Sequence, residues 1–434
     1  MRSPPRRLTQ CCVAVLLTAL LACGERQAED VVTLRFWGMG REGEVVQQLV
    51  TEFEREHPGI RVKVQQIPWS AAHEKLLTAH VGDASPDIAQ LGNTWIPEFV
   101  ALKALEPLDS SLAASPLVDY SDYFPGIWQT NVIDSIAYGI PWYVDTRVVF
   151  YRKDLLAQAG YDRFPTTWAE WISAMRAVKR LVGPDRYPIY LPSNEWHQPV
   201  IFGMQAGSLL LKDDGSYGVF AEPAFRRAFD FYLQLFRDSL APIKGLHDVA
   251  NPYQEFERGY FAMWITGPWN LGEFARRLPD SMQQHWATAP LPGPDGIASG
   301  VSLAGGSSLV LFRSSPHQRE AWQFIEFLSR PEQQQRFYEL TGDLPARADA
   351  WSDSLISGDL NRRSFWEQLQ RVQAPPRVPE WEQIATRILD FAEQSIRGGV
   401  PGDTVLARLD QDVNRLLEKR RWVLHREGLA VERR

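Results

Sequence analysis

From residue 33 onward the apolar positions switch between two periods. Thr33-Leu34-Arg35-Phe36-Trp37 alternates as a strand does and stops at Gly38-Met39-Gly40. Val45, Val46, Leu49, Val50 and Phe53 then recur at helical spacing, and Pro58-Gly59 closes that helix. Ile60, Val62 and Val64 alternate with Arg61, Lys63 and Gln65, a half-buried strand. Leu76, Leu77 and Val81 mark a second helix, and Pro86-Asp87-Ile88-Ala89-Gln90-Leu91 a third strand. Strand, helix, strand, helix, strand predicts a parallel sheet covered by helices, an α/β fold. Ligands in such sheets sit beyond the carboxyl ends of the strands, where connections reverse. Those ends carry Trp37-Gly38, Ile67-Pro68-Trp69 and Gly92-Asn93-Thr94-Trp95, so three tryptophans predict a pocket wall. Near the C-terminus, Ile384, Ile388, Leu389, Ala392 and Ile396, then Leu406, Leu409, Val413, Leu416 and Leu417, form the core stripes of helices.

Composition narrows the class. The chain has 434 residues, enough for two to three domains at roughly 150 residues each, with an ordinary 44% hydrophobic and 23% charged content. A net charge of −7 without a basic block argues against nucleic acid, whose binding requires phosphate neutralisation. The eight histidines are scattered, which predicts no metal site, and no cofactor motif is present. Sixteen tryptophans are an excess for this length. That excess is the first chemical clue.

The N-terminus reads as an address. Arg2, Arg6 and Arg7 precede the apolar run Val13 to Ala22, which is too short to span a bilayer. Leu20-Leu21-Ala22-Cys23 resembles the lipobox of bacterial lipoproteins, which implies removal of residues 1–22 and acylation of Cys23. Cleavage also removes Cys11 and Cys12, so no disulfide is expected. Residues 23–32 would be a tether, and the protein would work outside the cytoplasmic membrane, periplasmic or on the cell surface, held there by its acyl chains.

The most telling stretch runs Ile136-Ala137-Tyr138-Gly139-Ile140-Pro141-Trp142-Tyr143-Val144-Asp145-Thr146-Arg147-Val148-Val149-Phe150-Tyr151-Arg152. It resembles the crossover strand of the bacterial extracellular solute-binding proteins of ABC importers, the maltose- and trehalose-type sugar binders of family 1. Pro165-Thr166-Thr167-Trp168, Gly267-Pro268-Trp269 after Ala262-Met263, Gly305-Gly306 and Leu344-Pro345-Ala346-Arg347 resemble further family elements, in family order. Many members place tryptophan after the double glycine, where Ser307 stands here. The resemblance implies a two-lobed periplasmic-binding-protein fold, type II-like, with the chain crossing between lobes near Val144–Thr146, Gly300–Ala304 and Gly342–Arg347. The first lobe would hold 33–143 and 303–343, and the second 148–299 and 348–434. It also implies a monomer without enzymatic activity, delivering a sugar to permease subunits driven by a separate ATPase.

A sugar ring has C–H faces and a hydroxyl rim, which aromatic planes and planar polar groups match respectively. Candidate planes are Trp37, Trp69, Trp95, Trp142, Trp196, Trp264 and Trp269, with Trp269 foremost and Tyr143 and Trp381 in reserve. Trp168, Trp171, Trp322, Trp366 and Trp422 lie in helical patterns and are expected in the core. Candidate rim groups are Glu42, Asn93, Thr94, Asp145, Glu195 and Arg347, with Gly306 beside them. A disaccharide of trehalose or maltose type is the expected ligand, ahead of short oligosaccharides. Two rivals remain. A secreted glycoside hydrolase would need carboxylates roughly 5–9 Å apart, and no local spacing points to such a pair. The same fold binding another solute, such as glycerol phosphate, would call for a basic cleft.

Overall fold

The computed structural model describes residues 31–351 and 358–431. The leader, Cys23 and nearly all of the tether lie outside the described residues, as does the extreme C-terminus.

The opening alternation folds as read. Strand β1 (Val32–Met39) leads into helix α1 (Gly40–Glu56), β2 (Ile60–Ile67), α2 (Trp69–Val81), β3 (Ile88–Gly92) and α3 (Ile96–Ala101). β1 pairs in parallel with both β2 and β3. β4 (Ile140–Asp145) belongs to the same sheet, whereas β5 (Val148–Arg152), two residues later, belongs to another. The second sheet adds β6 (Tyr187–Tyr190), β7 (Phe261–Thr266) and β8 (Trp286–Ala289), in the order β8-β5-β7-β6. The chain returns through β9 (Ser302–Leu303) to β10 (Gly305–Leu311), antiparallel to both β3 and β4. β11 (Leu344–Pro345) edges the first sheet, whose order is β11-β4-β10-β3-β1-β2. β12 (Val372–Gln373) pairs with β9.

Helices cover both sheets. Helix α4 (Trp168–Val182) starts where Thr167 accepts from the Glu170 N–H while Glu170 accepts from the Thr167 N–H, so the Pro-Thr-Thr-Trp run is a capping box. The Trp168 ring then stacks on Phe231 of α6 (Pro223–Arg237) at 4.2 Å and 8°, and α5 (His197–Gln205) lies between them in the chain. Helix α7 (Trp269–Arg277) follows β7 directly. Helices α8 (Gln318–Leu328) and α9 (Pro331–Thr341) back the first sheet, whose core includes Phe36, Phe53 and Phe324. Ala348–Trp351 still packs against α9, and the Trp351 ring meets Phe124 at 6.2 Å. Helix α10 (Leu360–Leu369) then lies on β8 of the second sheet. Helices α11 (Trp381–Ile396) and α12 (Gly402–Leu416) join the second core through Trp381, Ile384, Leu406 and Leu409. Of the tryptophans expected in the core, Trp422 is instead 58% exposed, with Arg426 lying over its ring. Among the described residues no helix is long and apolar enough to cross a membrane.

Candidate functional site

A cavity of about 520 Å³ opens between the two sheets, at the carboxyl ends of β1 and β3 and at the crossings around Asp145 and Gly305. Its walls include Glu42, Trp69, Asn93, Thr94, Trp95, Tyr143, Asp145, Trp196, Trp269 and Gly306. The volume falls within the ~300–1,000 Å³ usual for small-ligand sites.

Backbone geometry sets the aromatic planes. The tight turn at Gly40, with φ +49°, lets the Trp69 indole approach so closely that a Cβ there would stand 2.9 Å from Cδ1. Trp69 and Trp95 meet edge to face at 5.8 Å, and His73 leans on Trp95 at 5.0 Å. Opposite them, Trp196 stacks on His197 at 4.1 Å. Trp269 opens α7 with its ring folded back over Gly267, where a Cβ would lie 2.0 Å from the ring. That overlap explains why glycine precedes the Pro-Trp pair. The Arg147 guanidinium rests on the Trp269 ring at 4.6 Å.

The polar rim is mostly carboxylate. Asp145 is held by an ion pair with Arg147, and burial raises its pKa against that pairing. Glu42 accepts from the Tyr143 hydroxyl at 3.4 Å, and burial raises its pKa too. Asp343 lies against the same space, and burial together with the nearby Glu42 charge pushes it up to about 8. Near neutral pH, Glu42 and Asp343 therefore hold a proton between them. Tyr143 is raised far above its ordinary value by burial and by Glu42, so its hydroxyl stays a neutral donor. Behind it, the fully buried Gln90 donates to the Tyr143 hydroxyl (3.1 Å) and the Ser307 hydroxyl (3.3 Å), while its carbonyl accepts from Met39 N–H (2.7 Å). His197 is depressed well below its usual value by burial and by Arg147, so it is neutral. Glu382 of α11 faces Thr94 in the same lining, and its pKa is raised by burial.

Ten predicted residues thus meet in one cavity: Glu42, Trp69, Asn93, Thr94, Trp95, Tyr143, Asp145, Trp196, Trp269 and Gly306. Gly306 is there for a backbone reason: its φ is +133°, and a Cβ would stand 2.2 Å from the Tyr143 carbonyl oxygen. Part of Asn93 is spoken for, since its amide donates to the Ala304 carbonyl at 2.9 Å.

Four predictions are corrected. Trp37 lies two residues inside β1, 9% exposed, facing Lys75 of α2 rather than the cavity. Trp142 is 1% exposed and stacks on Phe337 at 4.2 Å, in the core of the first sheet. Arg347 is buried in ion pairs with Asp122 (2.9 Å) and Asp349 (2.7 Å), so it clamps the fold. Trp381 is buried behind Trp196, edge-on at 5.6 Å, and supports that plane from the rear. Glu195 and Trp264 line an adjoining hollow.

Sequence reasoning missed Arg147, His197, Ser307 as a lining group, Asp343 and Glu382. A signal for Arg147 existed, since 143, 145 and 147 share one parity along the crossover. Asp343 and Glu382 carry none, because their partners are remote in sequence. Among the described residues no cluster of three or more His, Cys, Asp or Glu side chains is placed to hold a metal ion.

Comparison with known proteins agrees with this architecture. The model of the bacterial extracellular solute-binding protein family matches residues 38–335. The chain belongs to that family. It is similar to the solved structure of the sugar-binding protein MalE from Xanthomonas citri, with 49% identity and a TM-score of 0.87 over 91% of this chain and 99% of that one. It is also similar to an ABC transporter solute-binding protein from Thermotoga lettingae bound with α-D-tagatose, at 26% identity and TM-score 0.76, covering 89% of this chain and all of the other (100%). The diacetylchitobiose binding protein DasA of Streptomyces coelicolor is 25% identical over 410 residues, 90% of this chain and 94% of that one. A family member of this kind has the two-lobed α/β fold that the two sheets display.

Proposed function

We propose that this protein is an extracytoplasmic receptor that captures a sugar between its two sheet-centred lobes and hands it, chemically unchanged, to an ABC permease. The observation that carries this reading is the convergence of tryptophan planes and a carboxylate rim, from both sheets, on one cavity. Trp69, Trp95, Trp196 and Trp269 offer faces for pyranose C–H groups. Glu42, Asp145, Asp343 and Arg147 offer planar groups that pair with vicinal hydroxyls. A neutral Tyr143 hydroxyl and Thr94 complete the rim. The names of similar proteins, which include sugar- and diacetylchitobiose-binding ones, support the same class of ligand.

The first lobe is assigned 33–143 and 303–343, continuing to Trp351, whose ring packs on Phe124. The second takes 148–299 and the helices from α10 on. Ligand contacts to both lobes exist together only when the cleft is shut, so a sugar shifts an open–closed equilibrium by its differential affinity. Moving that balance from 1:99 to 99:1 takes about 5.5 kcal/mol, within reach of several charge-assisted hydrogen bonds and stacking. Acylation at Cys23 would hold the receptor at the membrane surface beside its permease.

The test is a thermal-shift and calorimetric screen over mono-, di- and oligosaccharides, followed by chromatography of the recovered sugar. A saturating ligand at 100 times its dissociation constant should stabilise by about 2.7 kcal/mol and return intact. Cleaved product would assign the chain to glycoside hydrolysis, and silence across the whole panel would remove the sugar reading.

A further inference from the structure

Behind the cavity wall, three adjacent strands of the first sheet line up a buried amide with two hydroxyls. Ser307 of β10 stands opposite Tyr143 of β4 on one side and opposite Gly92 of β3 on the other. Gln90, two residues before Gly92, shares its face, which sets the amide diagonal to Ser307. Tyr143 and Ser307 line the cavity, and Gln90 lies fully buried at their backs.

The amide can face only one way. Its Oε1 accepts from the Met39 N–H at 2.7 Å, and a flipped amide would set two donors against each other there. Nε2 therefore directs its two protons to the Tyr143 oxygen at 3.1 Å and the Ser307 oxygen at 3.3 Å. A hydroxyl that accepts from an amide must turn its own proton elsewhere. The Tyr143 proton goes to Glu42 Oε1 at 3.4 Å, a long bond that a nearer oxygen can replace. Among the described residues the Ser307 hydroxyl donates no hydrogen bond.

Resting on the receptor reading above, we propose that Gln90 is a positioning residue that fixes the hydrogen-bond polarity of this wall. It turns the Tyr143 and Ser307 hydroxyls into donors aimed at the ligand, so the sugar is selected for an accepting oxygen at that point. Without the amide each hydroxyl would rotate and serve as donor or acceptor. The carboxylates of the rim accept when ionised and so read a sugar's protons. A donor pair set among them orients the ring: the sugar oxygen whose proton a carboxylate takes presents its lone pair to Tyr143 or Ser307.

Two measurements on the full-length protein test this. Neutron diffraction from crystals of the deuterated, unliganded protein should show the Tyr143 and Ser307 deuterons turned away from Gln90 Nε2. Either one aimed at Gln90 overturns the proposal. Calorimetry then reads selectivity, with maltose and trehalose and their monodeoxy and monodeoxyfluoro analogues. Fluorine keeps an acceptor where the hydroxyl stood but removes the proton, and the deoxy sugar loses both. At the ring position that meets this wall, the fluoro analogue should bind about fivefold more tightly than the deoxy one. Gln90→Leu should shrink that ratio to within about twofold, and so should Tyr143→Phe or Ser307→Ala, which remove the donors themselves and keep the test open if Gln90→Leu fails to fold. A side chain that only fills space would weaken every analogue alike and leave the ratio intact, and that result overturns the proposal. A parent protein that discriminates fluoro from deoxy at no position overturns it too. Should neither disaccharide bind, the receptor reading loses its expected ligand, while the neutron map by itself still upholds or overturns the role of Gln90.

Discussion

Gly267→Ala offers a way to displace the principal stacking plane without touching it. The added Cβ would stand 2.0, 2.3 and 2.6 Å from Cζ3, Cη2 and Cε3 of Trp269. Ordinary van der Waals contact begins near 3.4 Å, so the ring must retreat by about 1.4 Å. It can do so because it is 40% exposed and swings outward rather than into the core. Fold stability should change little. Losing the Arg147 contact costs about 0.5–1 kcal/mol at a partly exposed site. Restricting the unfolded chain by Gly→Ala returns about 0.4–1 kcal/mol. Binding should suffer far more. Roughly 50 Å² of ring face at about 25 cal/mol per Å² is ~1.3 kcal/mol. Misaligned stacking adds about 0.5–1.5 kcal/mol, so the total is ~2–3 kcal/mol, a loss of about 30- to 150-fold. Calorimetry on the best sugar, with a melting curve in the same buffer, reads both quantities, and Trp269→Ala serves as the reference. Sugar affinity within threefold of the parent would refute the reasoning, because it would mean the ring's seat over Gly267 does not matter to the ligand.

Three further expectations follow from the groups that the structure assigns elsewhere. Trp142→Ala should cost about 3–5 kcal/mol of stability by emptying the space beside Phe337, yet leave sugar affinity within about twofold at a temperature where the variant is folded; a specific loss of binding would return Trp142 to the site. Arg347→Met should destabilise by about 1.5–3 kcal/mol, since Asp122 and Asp349 lose their shared buried cation but remain partly open to water, and again spare affinity when measured on folded protein. Asp343 is raised from 3.8 to about 8, so the native state holds its proton where the unfolded chain has lost it. Its contribution is complete below pH 4 and disappears as pH climbs through 8. Asp343→Asn cannot ionise, so its melting temperature relative to the parent should rise steadily from pH 5 to pH 9, and parallel curves would exclude the effect.

The same sequence made some of this legible and hid the rest for reasons that can be named. Period-two alternation located β1, β2 and β3, and the carboxyl-end rule then brought Trp69, Asn93, Thr94 and Trp95 to the cavity. The rule failed for Trp37 because β1 continues to Met39, which puts the indole on the α2 side of the sheet instead of at the strand's end. Trp142 illustrates a constraint that the sequence did contain. Successive strand side chains point to opposite faces, so if Asp145 faces the ligand, Tyr143 does and Trp142 does not. Cavity-lining Tyr143, Asp145 and Arg147 keep that parity, while Trp142 stacks on Phe337 behind the sheet. A proline–arginine motif gives no such handle. Arg347 is defined by Asp122, a residue that only the folded chain brings near.

Glu382 shows why the closing groups were least visible. It sits one residue into α11, in a helix whose other signals are core positions such as Ile384 and Ile388. Nothing local distinguishes it from a solvated first-turn acid. In the folded chain it faces Thr94 across the lining they share, and it lies near His73, whose pKa is raised first by Glu98 at 2.7 Å and further by Glu382. Thr94, His73 and Glu98 belong to the first sheet's flank, whereas α11 packs with the second core. The contact therefore joins the two halves directly, and it is available only while they are together. Residues that face a ligand can be read from strand ends, because the sheet fixes where those ends point. Residues that hold one half to the other depend on how the halves meet, and that relation is written in pairs of positions no single segment contains.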